Sequence, residues 1–141
     1  MVEPPTLRAL VLADHIYRDP STGKMFILGT FNRLFVRKVG DNEDFGRETQ
    51  AYVCLTNLRG SVGLHLCYRD LKTNEVLMQT RPIPVKSNDP FAILEIVLPV
   101  PPFPMPHSGV YTFELHAGSD MIGSVRVAVV RLEEEKTGDQ A

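Results

Sequence analysis

The most chemically suggestive run is Asp14-His15-x-Tyr17-x-Asp19, at a strand end. A histidine between carboxylates suits general acid–base work, with His15 moving the proton and Asp14 or Asp19 orienting the ring. Asp14, His15, Tyr17 and Asp19 could equally form the polar rim of a small-ligand pocket, completed by loop 38–49. Neighbours on a strand point to opposite faces, so Asp14 is poorly placed to orient His15. The plainer alternative has Asp19 capping the turn at Pro20 and Asp14 or His15 satisfying backbone groups. In the loop, Asp41, Asn42, Glu43, Asp44 and Glu48 offer oxygens of the kind calcium takes, but without the register of an EF-hand. A solvated loop is the expectation there, with Phe45 either pinning it to the body or offered to a partner.

The two cysteines, Cys54 and Cys67, pose a second question. Gly60-Ser61 fits a two-residue type II′ turn. A hairpin closed by it sets Cys54 opposite Cys67 in a non-hydrogen-bonded pair. Their Cα atoms would lie ~4.5 Å apart, close enough for a disulfide. Three readings follow: two reduced thiols serving as small apolar residues, a structural or redox-responsive disulfide, and a Cys2His metal site completed by His65. The last lacks a Cys-x-x-Cys spacing and a fourth ligand.

Other chemistry is sparse. His65, His107 and His116 fall on different elements, and His65 and His116 face outward by strand parity. There is no Gly-x-Ser-x-Gly, P-loop, Gly-x-Gly-x-x-Gly or His-Glu-x-x-His. Nothing calls for a cofactor or a resident metal. Pro99-Val-Pro-Pro102 matches a Pro-x-x-Pro ligand pattern. Its neighbours Val100, Phe103 and Met105 are apolar, so the run is expected to pack across the protein instead.

The elements that must carry these residues are strands. Residues 109–117 alternate Tyr111, Phe113 and Leu115 with Val110, Thr112, Glu114 and His116, and residues 121–131 return as the second arm of a hairpin. Earlier extended runs cover residues 7–14, 24–36, 50–58, 63–71, 75–80 and 91–98. Turns are expected at 19–23 and 70–74, a bulge at Gly29, and an extended connector over 99–106. Helical periodicity with caps is absent. About eight strands at this spacing predict an all-β, antiparallel two-sheet sandwich in the immunoglobulin-like style. The stiff proline run suits a crossover between the sheets.

Three stretches carry a family likeness: Ala13-Asp-His-Ile-Tyr-Arg-Asp-Pro-Ser-Thr-Gly-Lys24, Ile27-Leu-Gly-Thr-Phe-Asn32 and Ser108-Gly-Val-Tyr-Thr-Phe-Glu-Leu115. Together they resemble a family of small bacterial proteins known only as a domain of unknown function. The likeness runs over most of the chain and implies no activity. Gly-Val-Tyr-x-Phe in a penultimate strand also resembles the immunoglobulin-like corner, where a tyrosine hydroxyl bonds back to nearby backbone. The tryptophan and the paired cysteines of true immunoglobulin domains are missing.

Composition narrows the remaining classes. The 141 residues make one domain over 1–132, with 133–141 as a frayed acidic tail. A net charge of −2 and scattered basic residues argue against nucleic acid. No apolar run reaches the ~20 residues of a membrane span, and no signal peptide is evident. A cytoplasmic location is expected. So is a non-catalytic interaction module binding a second copy or another protein, because Leu10, Leu12, Ile122, Ala128 and Val130 read as outward-facing apolar residues. An enzyme is the least favoured reading; it would need His15 beside a carboxylate from another strand.

Overall fold

The computed structural model describes residues 3–37 and 47–132. Ten strands occupy them: β1 Thr6–Arg18, β2 Met25–Thr30, β3 Arg33–Val36, β4 Thr49–Thr56, β5 Gly60–Asp70, β6 Glu75–Gln79, β7 Ile83–Ser87, β8 Leu94–Val100, β9 Gly109–Ala117 and β10 Asp120–Arg131. Among the described residues there is no helix. One sheet runs β2-β1-β4-β8 and the other β3-β10-β9-β5-β6, with β7 also on β5. The architecture is the expected all-β sandwich.

Three departures from the sequence reading have physical causes. First, 24–36 is two strands. Phe31-Asn32 carries the chain from one sheet to the other, so β3 arrives parallel to β10 while every other pairing is antiparallel. Second, the stretch between the expected strands 75–80 and 91–98 holds a strand of its own, Ile83–Ser87, which pairs with β5. Third, β4 and β5 do not form a hairpin. Both alternate apolar residues, Ala51, Val53 and Leu55 on one and Leu64, Leu66 and Tyr68 on the other, and all six are buried in one core. Stacking those faces buries them all; pairing the strands edge to edge in one sheet would not. The chain turns the corner at Asn57 and Gly60, both at positive φ, with Leu58 buried between them.

The core fills the space between the sheets, with an aromatic group of Tyr68, Phe103, Tyr111 and Phe113 at its centre. A β-bulge between Leu7 and Ala9 shifts the phase of β1 by one residue. Leu10 and Leu12 therefore face the core, against expectation, and Ile122 does the same beside a bulge in β10. The two bulges meet where Leu7 lies over Gly123, so close that a side chain at 123 would have to displace the Leu7 methyl. Ala128 and Val130 do face outward, in register with Val110 and Phe35, both exposed.

The proline-rich connector is packed as expected. Phe103 and Met105 are fully buried, and the Tyr68 hydroxyl donates to the Pro104 carbonyl at 2.8 Å. Val100, inside the Pro-x-x-Pro match, is also fully buried. The tyrosine corner is present as well: Tyr111 Oη donates to the His107 carbonyl at 2.7 Å and accepts from the His107 N–H at 3.2 Å.

Candidate functional site

The structure separates the four residues of the first polar run. Asp14 points with the inward phase of β1 and pairs with Arg47 at 3.0 Å. His15 and Tyr17 lie on the opposite face, with ring centroids 5.9 Å apart. Among the described residues no carboxylate reaches His15. Asp19 closes the β1–β2 turn: it accepts from the Thr22 hydroxyl at 2.8 Å and the Ser21 N–H at 3.2 Å. The Thr22 hydroxyl, followed by the Ser21 amide, holds its carboxyl below the usual range. Asp19 is thus the turn cap of the plainer reading. Asp41 to Phe45 lie outside the described residues, as do 133–141. One cleft, of about 380 Å³, opens between the sheets beside Leu10, Leu12, Phe31, Arg33 and Val125, away from His15, Tyr17 and Asp19.

The facing cysteine pair is overturned. Cys54 sits beside Ala9 and Glu95 in the first sheet; Cys67 sits beside Glu114 and Gln79 in the second. Each alternates with core residues and so lies on the outer face of its own sheet, on opposite sides of the sandwich. Both are free and buried. Ellman's reagent should count two thiols in unfolded, never-reduced protein; a count of zero would require a fold other than this one.

Polar groups converge elsewhere, on the outer face of the second sheet. There β5 and β9 set His65 opposite His116 and Cys67 opposite Glu114. Arg69 Nε donates to Glu114 at 3.0 Å, and His116 lies 3.2 Å from the same carboxylate. The Arg69 hydrogen bond is the main reason the Glu114 carboxyl titrates below its usual range. Burial, with Glu114 alongside, pushes the Cys67 thiol up, while burial and His116 push His65 down. Strand parity placed His65 on the same face as Cys67. The contribution of β9 was not readable, because no local signal says which distant strand β5 will join.

The two edges of the first sheet differ sharply. β8 carries Glu95 and Pro99, both of which discourage strand addition. β2 reads Met25-Phe-Ile-Leu-Gly-Thr30, without charge or proline. Phe26 and Leu28 are 41% and 51% exposed, and Tyr17 packs edge-on against Phe26 at 5.2 Å. This hairpin, the tyrosine corner and everything between fall within residues 8–130, which match a single family signature. The chain belongs to the family of unknown function DUF6941. No curated protein matches it. The DUF6941 match spans nearly all of β1 to β10 and so covers the whole sandwich. Among the described residues no helix is long and apolar enough to cross a membrane.

Proposed function

We propose that this DUF6941 protein is a non-catalytic interaction module of the bacterial cytoplasm that self-associates through β2. The observation that supports this is the bare edge of that strand. The other edge strands are guarded: Arg33 on the short β3, Glu75 on β6, Pro84 and Lys86 on β7, Glu95 and Pro99 on β8. A second copy fits β2 with its own kind. An antiparallel pair centred on Ile27 sets Phe26 opposite Leu28 and Lys24 opposite Thr30, so no two like charges meet. Such a pair has two-fold symmetry and would join two four-stranded sheets into one continuous sheet.

Size-exclusion chromatography with light scattering tests this. The expected mass is twice the 15.8 kDa of the chain. Ile27→Lys places two ammonium groups directly opposite each other and should give a monomer. Val76→Lys, on the β6 edge, should leave the dimer intact. A wild-type monomer at high concentration, or a dimer indifferent to Ile27→Lys, would refute the proposal.

A further inference from the structure

The outer face of the second sheet carries a group of donors that the edge pairing does not use. Leu64, Leu66 and Tyr68 of β5 and Phe113, Leu115 and Ala117 of β9 all fill the core. The residues between them must therefore project from the opposite face. That places two successive cross-strand pairs, His65–His116 and Cys67–Glu114, in a square. One donor atom each from Cys67, Glu114 and His116 lies within 4.8 Å of the other two. Donors around a tetrahedral zinc ion stand ~3.5 Å apart, given bond lengths of about 2.0–2.3 Å. Small side-chain rotations close that gap. The His65 ring stacks on His116, with centroids 4.9 Å apart and planes at 14°, so it covers the His116 ring from one side rather than aiming a nitrogen at the same point.

We propose that Cys67, Glu114 and His116, with solvent in the fourth position, form a binding site for a divalent cation of borderline softness, Zn²⁺ or Co²⁺. A thiolate with an imidazole selects such ions over Mg²⁺ or Ca²⁺, which prefer all-oxygen shells. Shelter favours the site: Cys67 is only 4% exposed although it lies on an outer face. Arg69 is the competing cation. It already holds the Asn74 carbonyl at 3.0 Å, an anchor it keeps when Glu114 turns to the metal. On binding, the Cys67 thiol gives its proton to solvent and its sulfur lone pair to the ion.

Cobalt titration of the chelator-treated full chain, watched by absorption, decides the matter. The expected result is one Co²⁺ per chain, a thiolate-to-cobalt charge-transfer band in the near ultraviolet, visible bands of tetrahedral intensity, and their loss when Zn²⁺ is added. Cys67→Ser should abolish the charge-transfer band. His116→Gln should weaken Co²⁺ binding at least tenfold, in line with loss of one ligand. Cys54→Ser, on the opposite side of the sandwich, should change nothing. A wild-type chain without the band, or a band that depends on Cys54, would overturn the site. So would full Co²⁺ affinity in a His116→Gln chain whose circular dichroism is native.

Discussion

Phe103→Ala is expected to cost about 4 kcal/mol of folding stability, in the range for buried aromatics cut to alanine. The ring is fully buried and lies 4.9 Å from Tyr68 and 5.1 Å edge-on from Phe113. It also anchors the connector between the sheets, because the next residue's carbonyl accepts the Tyr68 hydroxyl. Removing the ring leaves a cavity that the stiff flanking prolines cannot collapse into. For a domain of this size the melting temperature should fall by roughly 12 °C. Pro102→Ala, one residue away and exposed, should shift it little. Urea denaturation checks both. A loss below about 1.5 kcal/mol for Phe103→Ala would mean that the connector is not part of the core.

The second large effect belongs to Asp70, the last residue of β5. Its side chain is 3% exposed and meets His107 Nε2 at 2.6 Å; the histidine is 27% exposed. Asp70 Oδ1 also accepts the Lys72 N–H at 2.9 Å. Burial alone would raise the Asp70 carboxyl, but the His107 and Lys72 hydrogen bonds outweigh it and the net shift is downward. His107 is shifted upward, first by its bond to the Ser108 carbonyl and then by Asp70. Asp70→Ala should cost about 2 kcal/mol, as for a hydrogen bond to a charged group.

The pH dependence follows from linkage. A carboxyl with a lowered folded pKa stabilises above its unfolded value, about 3.9, and that contribution is lost as pH falls through the folded pKa. A histidine with a raised folded pKa stabilises below its unfolded value, about 6.5, and that contribution is lost as pH rises through the folded pKa. The pair therefore contributes most between about pH 4 and 6.5. Asp70→Asn should flatten the decline in stability above that window. A wild-type and an Asp70→Asn profile that run parallel from pH 5 to 8 would show that the two side chains are not coupled.

Much of the sandwich was readable from local pattern. The β9–β10 hairpin, the Asp70–Asn74 turn, the Asp19 cap and the Tyr111 corner rest on interactions a few residues apart, or on period-two alternation along one strand, and the burial of the connector is signalled by its own apolar residues Val100, Phe103 and Met105. Local pattern misleads where a single residue changes the phase or where partners are distant. The bulge after Leu7 turned Leu10 and Leu12 inward. Gly60 and Ser61 do not form the expected turn but open β5, paired with Ser87 and Lys86; the chain crosses to the other sheet over 57–59, so Cys54 and Cys67 never meet.

The chain alone determined that strands would form and, bulges aside, which side of each is apolar, because side-chain alternation is a property of the extended backbone itself. Only the tertiary structure decided which strands are neighbours. That choice brought Cys67, Glu114, His65 and His116 together and, among the described residues, put β2 at the edge of its sheet. Its physical origin is global: an extended strand can pair with many others at similar local energy, and the winning arrangement is the one that buries the apolar faces of both sheets at once.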